Sequence, residues 1–526
     1  MIPRPSRATD GGPTARETSR ETPRGAARGQ GGDGLRRLDG RFLLPWPREG
    51  RFDHLVLLGG PPGIAEVARE AGLARRVSAS LPAAGSADAL MALHGSGVPA
   101  QEAARCLAQG GCAWFELDSR RRIPRDGRLR TTGIYAVLPG FERAAAYVPL
   151  EPPGALRWYA RNLLPAWTPG KTLRRWGLRG AGEILLPWRY ALTAVATPEG
   201  SAPPSALPSW LEGLRLLLLA HGPDRAVLLP FAPDGAVPTS VIKVPRLPRF
   251  NARTEGEQAL LAHLRARLGP AARGALPEPR GIHRAGRLAL GRESHVPGRP
   301  LAQRVGAWGA PFRRKARDLQ EAADWLAGFH ERTEVRRAEW DSTEAAPWID
   351  APLDDLRASQ PGLPGLDGLA GAVRRRSRDL AGAGLPLVCQ HRDFTPWNLL
   401  CGKDGLVVID WEGARPGPAL CDLLHFATHW SELAARAFDE RARLKAFREV
   451  WIERRGGRVG EAARRAVAGY CQSLRIDRRF VPLLLAATWV ELALRREGPG
   501  PEAAYVATLG AGAGELFGGW IEPGWR

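Results

Sequence analysis

The first part of the chain has apolar runs of the length and spacing expected for a small α/β unit. "FDHLVLLGG" (52–60) predicts a buried strand, and the turn "GGPPG" and the helical pattern "IAEVAREAGLA" follow it. "QEAARCLAQGGCAWFELD" predicts a further helix and strand. We therefore predict a small α/β unit over residues 39–118. Residues 1–38 are rich in Gly, Pro, Ser, Thr and Arg, which predicts a disordered basic tail.

The second part of the chain begins with short apolar runs and continues with helical periodicity. The runs are "LRLLLLAHG" (214–222), "AVLLPFAP" (226–233) and "SVIKVPR" (240–246). Because short loops join them, they predict an antiparallel meander. The fold class predicted is α+β, with a small antiparallel β lobe over residues 206–300 and a larger helical lobe over residues 301–526. Residues 119–205 are predicted to form a basic connecting region rich in Arg and Trp.

A second hairpin is predicted in the helical lobe, and it brings polar residues together. In "NLLCGKDGLVVIDW" two apolar runs flank the turn residues "CGKDG". This hairpin places Asn398, before the first strand, close to Asp410, after the second. An amide oxygen and a carboxylate form a site suited to Mg²⁺, which prefers a few protein oxygens plus phosphate and water. Asp393, five residues before Asn398, faces the same space and can orient a hydroxyl and accept its proton.

Lys243 is the candidate cation for the phosphates of a nucleotide. It lies in the middle of the apolar strand "SVIKV", where an unpaired ammonium would be costly to bury. The helix that follows offers Glu255 and Glu257 as partners. We favour Glu257, which directly precedes an apolar repeat, and keep Glu255 as the alternative.

These motifs resemble those of the aminoglycoside phosphotransferase and choline kinase family. "HRDFTPWN" matches the HxDxxxxN catalytic-loop pattern shared with protein kinases, and "VVIDWE" stands where protein kinases have DFG. The resemblance covers roughly residues 210–500 and implies a two-lobed protein-kinase-like fold that uses ATP (or GTP) and Mg²⁺. It also implies roles for individual residues. These are a phosphate clamp (Lys243, Glu257), backbone adenine contacts (Ser294 to Val296), a catalytic base (Asp393), metal ligands (Asn398, Asp410) and a brace for the catalytic loop (Asp422).

Two glycine-containing turns depart from the patterns that they resemble. The loop "AHGPDRA" (220–226) has a single glycine where protein kinases have three, which leaves the choice between ATP and GTP open. In the α/β unit, the Gly-rich turn and "LAQGGCAWFEL" resemble the class I methyltransferase fold. "GGPPG" is not GxGxG, so we interpret the unit as structural.

The composition limits the binding partners and the cellular compartment that we predict for the protein. The net charge of +20 is carried by dispersed arginines without zinc-finger spacing or an aromatic RNA-binding signature, so nucleic-acid binding is not predicted. Six cysteines without a CxxC pair favour a reducing cytoplasm. Residues 157–180 carry six cationic residues and no acidic one. We interpret them as a domain interface and keep peripheral contact with a membrane surface as the alternative.

The leading hypothesis is therefore an enzyme that moves the γ-phosphoryl group of a nucleotide to a small-molecule hydroxyl acceptor. A sugar, an amino alcohol or an aminoglycoside would fit. The alternative is a catalytically silent kinase-like binding or scaffold protein that serves the α/β unit.

Overall fold

The structure is a computed structural model, and it describes residues 38–44, 51–118, 129–141, 144–151, 153–164, 190–196, 209–211, 213–220, 222, 224–403, 405–495 and 500–519. The predicted tail, except Leu38, lies outside the described residues. So does most of the basic segment predicted over residues 157–180. Within the described residues no helix combines the length and the apolar character needed to cross a bilayer.

One twelve-stranded sheet runs through the first half of the described chain, in the order β11-β12-β10-β9-β8-β6-β5-β7-β4-β3-β1-β2. Its strands are β1 (Phe52–Leu58), β2 (Ala74–Ser78), β3 (Ala87–Ala92), β4 (Leu107–Leu117), β5 (Leu129–Leu138), β6 (Ala146–Pro149), β7 (Tyr190–Ala196), β8 (Arg215–Leu219), β9 (Arg225–Phe231), β10 (Ser240–Pro245), β11 (Pro279–Ala285) and β12 (Leu288–Ser294). Strands β1 to β4 pair in parallel, and all other pairings are antiparallel. The parallel strands are connected through α1 (Ile64–Glu70) and α2 (Ala100–Arg105).

The region predicted as a connector contributes to this sheet. Strands β5, β6 and β7 lie within residues 119–205, and β6 pairs with β8, so the sheet continues from the α/β unit into the antiparallel lobe. On one face, Leu57 of β1 and Leu290 of β12 belong to the same hydrophobic cluster. The interpretation of residues 119–205 as only a connecting region is therefore wrong for these strands. Although β5 and β6 pair as neighbours in the chain, the pairings of β7 with β4 and β5 and of β6 with β8 join distant segments, which a local pattern does not reveal.

The antiparallel lobe has the predicted meander and helix. Strands β8, β9 and β10 are consecutive neighbours, and α4 (Asn251–Leu268) packs against β12. Gly291 of β12 permits this close approach, because a Cβ there would lie 2.6 Å from Cγ2 of Thr254. The helix α3 (Pro153–Asn162) covers the other end of the same face and packs Leu156 and Tyr159 against Leu229 and other residues of the sheet.

The remaining described chain forms the helical lobe around a large apolar core, which includes the buried rings of Trp340, Trp411, Trp430, Trp451 and Trp489. Its helices are α5 (Leu301–Val305), α6 (Phe312–Thr333), α7 (Ser342–Ala345), α8 (Ala351–Ser359), α9 (Leu366–Asp379), α10 (Cys421–Ala434), α11 (Glu440–Phe447), α12 (Gly457–Ser473), α13 (Phe480–Leu494), α14 (Pro501–Ala511) and α15 (Ala513–Gly519). Short 3-10 and π segments cover Asp39–Leu43, Ser209–Leu211, Pro248–Phe250, Gly269–Ala272, Ala346–Asp350 and Arg448–Ile452.

Two small sheets in this lobe carry the predicted catalytic segments. They are ordered β13-β16-β17 and β14-β15-β18. Their strands are β13 (Arg299–Pro300), β14 (Arg336–Glu339), β15 (Gly384–Gln390), β16 (Leu399–Cys401), β17 (Leu406–Val408) and β18 (Arg415–Pro418). The predicted hairpin is present as β16 and β17, and Ile409 N donates to Asn398 O at 2.9 Å. The α+β class with a small antiparallel lobe and a larger helical lobe is confirmed.

Candidate active site

Lys243 and Glu257 form a buried ion pair between β10 and α4. The two residues are 5% and 2% exposed. Glu255 instead pairs with Arg284 at the surface, at 2.7 Å, so the structure places Glu257 and not Glu255 against the lysine. Burial alone would lower the pKa of Lys243, but the carboxylates around it outweigh burial and raise that pKa. The lysine is therefore held as a charged ammonium.

Glu257 also joins the two lobes. The same oxygen that pairs with Lys243 accepts a hydrogen bond from the backbone N–H of Trp411 at 2.8 Å. Trp411 directly follows Asp410, so this contact fixes the position of Asp410 relative to the lysine. Lys243 Nζ lies 3.9 Å from Oδ1 of Asp410.

Glu293 is a second buried acid beside the lysine, and the sequence analysis missed it. It lies in β12, is 3% exposed, and has Oε2 3.3 Å from Lys243 Nζ. Burial raises the pKa of Glu293 to about 7, although Lys243 opposes this shift. An acidic residue within the apolar strand "LALGRES" was the available signal.

Asp393 is open to solvent in the loop between β15 and β16, and Asn398 orients it. Nδ2 of Asn398 donates to Asp393 Oδ2 at 2.7 Å and to its backbone oxygen at 2.9 Å. The Asp393 N–H donates to Nδ1 of His391 at 3.2 Å, and the other ring nitrogen of His391 faces Ile409 O at 2.9 Å. Partial desolvation by the surrounding protein raises the pKa of Asp393, and His391 opposes that shift.

Asp422, at the start of α10, accepts two backbone hydrogen bonds from the catalytic loop. The donors are His391 N at 2.6 Å and Arg392 N at 2.8 Å. The ring of His330 adds a contact at 3.5 Å. Burial would raise the pKa of Asp422, but His330 and the other donors lower it overall. The structure thus places Asp422 where the predicted brace would be.

Two residues of the site adopt left-handed backbone conformations that side chains rarely take. The φ angles are 67° at Arg392 and 74° at Asp410. Such conformations cost about 1–3 kcal/mol each and persist where surrounding contacts impose them. The hydrogen bond to Asp422 holds the backbone of Arg392. The hydrogen bond from Trp411 N to Glu257 lies directly beside Asp410.

The oxygens near Asp410 suit a magnesium ion that also binds phosphate and water. They do not suit a metal that needs all its ligands from the protein. The described residues contain no group of three or more His, Cys, Asp or Glu side chains that could hold a metal ion. Asp410 is 26% exposed and Glu412 35% exposed, and Asn398 turns its amide nitrogen toward Asp393. The available donors are therefore carboxylate and amide oxygens only. Mg²⁺ accepts such a partial set when phosphate and water complete its shell.

Arg225 is a further cation at this site and was not predicted. It begins β9, directly after the turn with one glycine, and one Nη lies 2.7 Å from Glu412 and 3.5 Å from Glu257. The other Nη pairs with Asp410. Burial opposes the charge of Asp410, but Arg225 and Lys243 outweigh it and lower its pKa to about 2.

In the segment predicted to contact adenine, the backbone N–H of Ser294 already has a hydrogen-bond partner within the protein. The Ser294 N–H donates to Glu278 O at 2.8 Å, and its hydroxyl accepts from Glu278 N at 2.9 Å. No backbone hydrogen bond is found for Val296 among the described residues. His295, between them, contacts the ring of Trp158 with centroids 5.8 Å apart.

A large cavity adjoins this segment and not the predicted catalytic groups. Its volume is 1110 Å³, and Ser294, Val296 and Trp158 line it. Lys243, Asp393 and Asp410 do not line it, so we assign the chemistry by the convergence of side chains and not by cavity size. Trp158 and Tyr159 serve as interface residues, whereas Trp167 and Trp176 lie outside the described residues.

Part of the chain is similar to a known protein family. Residues 233–459 match the family model described as "Phosphotransferase enzyme family" (APH). The C-terminal region matches the phosphotransferase enzyme family. All the predicted site residues lie within this phosphotransferase region, whereas Arg225 lies just before it. No match was found among curated proteins.

Solved structures that resemble the chain include three small-molecule kinases. A glucosamine kinase is 18% identical and covers 57% of this chain and 91% of its own, with a TM-score of 0.32. A macrolide 2'-phosphotransferase from Brachybacterium faecium is 21% identical and covers 60% and 93%, with a TM-score of 0.33. A choline kinase from Cryptosporidium parvum is 12% identical and covers 60% and 95%, with a TM-score of 0.33. The methyltransferase resemblance of the α/β unit stays a prediction.

Aromatic and histidine side chains adjoin the loop that carries Asp393 and Asn398. Trp397 is 42% exposed, and its ring meets that of His429 with centroids 5.4 Å apart. Nε2 of His429 lies 3.1 Å from Nε2 of His425, and its Nδ1 lies 3.0 Å from Glu432. Burial lowers the pKa of His425, and His429 adds to this.

Arginines also lie near Asp393. Arg392, Arg415 and Arg495 converge on one carboxylate, that of Glu491 in α13. Arg495 also donates to the backbone oxygen of Arg392 at 2.7 Å. Arginine side chains thus lie beside the predicted base, together with the carboxylates of Glu491 and Asp410.

Proposed function

We propose that the phosphotransferase region moves the γ-phosphoryl group of ATP or GTP to a hydroxyl of a small molecule. The observation that carries this proposal is the chain of contacts Lys243–Glu257–Trp411 N, because it holds the lysine of the β lobe 3.9 Å from Asp410 of the helical lobe. A cation and a metal-binding carboxylate at this separation suit the two ends of one triphosphate.

Some of these residues would position the nucleotide, and one would accept a proton. Lys243 holds non-transferred phosphates, and Asn398 and Asp410 would hold Mg²⁺. When bound, that ion neutralises charge on the phosphates. Asp393, fixed by Asn398, orients the acceptor hydroxyl and takes its proton as the acceptor oxygen bonds to the γ-phosphorus. The bond from that phosphorus to the β–γ bridging oxygen breaks, and the nucleoside diphosphate leaves.

The raised pKa of Asp393 suits this role. A carboxylate whose pKa is raised accepts a proton more readily than an ordinary aspartate does. The backbone of Val296 is the group available to bind the purine, which supports nucleotide use without choosing between ATP and GTP.

The charges around Asp393 favour a neutral or anionic acceptor. Three arginines share the carboxylate of Glu491, so a polycationic aminoglycoside would meet repulsion there. A neutral sugar or a hydroxyl compound that carries an acidic group fits this region better.

A screen of hydroxyl compounds tests the proposal. Purified protein, Mg²⁺ and ATP or GTP would be incubated with neutral, acidic and cationic acceptors, and diphosphate release and new phosphate esters would be followed by phosphorus NMR. We expect transfer to a neutral or acidic member and none by Asp393→Asn. Nucleotide binding without transfer to any acceptor would support the silent scaffold instead.

A further inference from the structure

Arg225 contacts the same carboxylates that the proposed function assigns to the metal or to its vicinity. Its guanidinium reaches Asp410, Glu412 and Glu257, which come from both lobes. The Arg225 side chain is 17% exposed, and that of Glu257 is 1% exposed. This is a partly buried network, in which ion pairs contribute more than they do at the open surface.

The charge balance of the site depends on Arg225. Lys243 pairs with Glu257 and Glu293, so among the described residues Arg225 is the cation in direct contact with both Asp410 and Glu412. A divalent ion bound by Asp410 would meet the positive charge of a guanidinium that already contacts Oδ1 of this carboxylate. Metal and guanidinium therefore compete for one carboxylate.

In the turn before Arg225, a buried arginine binds the backbone oxygen of Gly222. The side chain of Arg246 donates to Gly222 O from Nε at 3.1 Å and from Nη2 at 2.7 Å. Arg246 is itself 1% exposed and pairs with Asp39 from the start of the described chain. Gly222 O is therefore bound to Arg246, and Arg225, which follows this turn, directs its own side chain to Asp410 and Glu412.

We propose that Arg225 is a tethered cation that holds Asp410 and Glu412 in the nucleotide-free protein and turns to the phosphates when the metal–nucleotide complex binds. The planar guanidinium can exchange a carboxylate for a phosphate without losing its paired hydrogen bonds. The exchange couples the two ligands, since the free metal binds poorly until phosphates draw the arginine away. Arg225 is a positioning residue, and this inference rests on the proposed function.

Metal and nucleotide binding by Arg225→Gln tests the exchange. Free Mn²⁺ would be measured by EPR without nucleotide, and a non-hydrolysable ATP analogue with Mg²⁺ by calorimetry. We expect Mn²⁺ to bind about tenfold more tightly and the analogue about tenfold more weakly, because one charge-assisted hydrogen bond is exchanged in each case. The matched control is Arg253→Gln, which removes an exposed arginine that pairs with Asp224 near the same turn. It should change neither affinity.

The outcomes separate this inference from the proposed function. Unchanged affinities in Arg225→Gln, or weakening of both ligands, would overturn the exchange while wild-type Mg²⁺-dependent nucleotide binding upheld the site. Wild-type protein that bound neither Mn²⁺ nor the analogue would overturn the proposed function itself. Arg225→Lys keeps the charge but not the paired donors. It should give changes of the same signs and smaller size, and its failure to do so would count against the exchange even if Arg225→Gln folded poorly.

Discussion

The two ends of the twelve-stranded sheet differ in the packing of their glycine turns and in the contacts of their polar residues. At the parallel end, the turn after β1 is closed, because a Cβ on Gly59 would lie 2.8 Å from the backbone of Ser96. The nearby Glu116 is used locally, accepting from His94 N at 2.7 Å. At the antiparallel end, by contrast, Lys243, Arg225 and Glu257 converge on Asp410 from another lobe. The Glu116 contact stays within the α/β unit, whereas the charged groups of the antiparallel end contact a second lobe.

The difference indicates that a strand–turn–helix unit does not by itself make a binding site. In the α/β unit Gly59 allows close packing after β1, and Glu116 accepts from the backbone of His94. In the phosphotransferase region the charges are held together by contacts that cross between lobes. Three experiments, on Asp393, Lys243 and Gly59, together with the one on Arg225 already described, test this contrast.

Removing the base should produce the largest effect. Asp393→Asn keeps the hydrogen-bonding shape but cannot accept a proton, so we expect kcat to fall about 10²–10⁴-fold with little change in nucleotide affinity. Steady-state kinetics and calorimetry would check this. Asp355→Asn, at an exposed position of α8, serves as the control and should leave kcat unaltered. A variant that kept more than a tenth of wild-type kcat would remove Asp393 from the mechanism.

Removing the lysine of the buried Lys243–Glu257 pair should destabilise the fold as well as the site. Lys243→Met removes the cation paired with Glu293 and leaves Glu257 only its 3.5 Å contact with Arg225, so we expect the free energy of unfolding to fall by about 3–5 kcal/mol. Adding Glu257→Gln should restore part of that loss. Denaturant unfolding would measure both, with Lys445→Met as the control, because its pair with Glu449 is exposed and spans 3.7 Å. Equal losses in Lys243→Met and the control would contradict the account.

A substitution at the closed turn tests the other end of the sheet. Gly59 has a φ of 73° and no room for a side chain, so Gly59→Ala should lower the free energy of unfolding by about 2 kcal/mol. Gly72→Ala, with a φ of 63° and open space around it, should cost only about 1 kcal/mol. Neither should change the kcat of phosphoryl transfer. A large loss of kcat in Gly59→Ala at temperatures where the protein is folded would show that the two ends are not independent.

The sequence predicted the groups whose placement follows from local pattern. Asn398 and Asp410 lie at the two ends of a short hairpin, and Lys243 is unusual within an apolar strand, so each could be assigned before the fold was known. Glu293 and Arg225 were missed because their roles depend on which strands become neighbours. Strands β5, β6 and β7 were missed for the same reason, since their pairing joins segments far apart in the chain. The choice of Glu257 over Glu255 agreed with the geometry.

The most direct test of the central claim is a double-variant cycle on binding of a Mg²⁺–ATP analogue, using Lys243→Met, Asp410→Asn and their combination. If both side chains hold one triphosphate, their losses of binding free energy should be coupled by about 1–3 kcal/mol. Calorimetry on the folded variants would measure this coupling. Losses that simply added, or variants that bound the analogue as tightly as wild type, would show that the lysine and the aspartate do not meet around the same nucleotide.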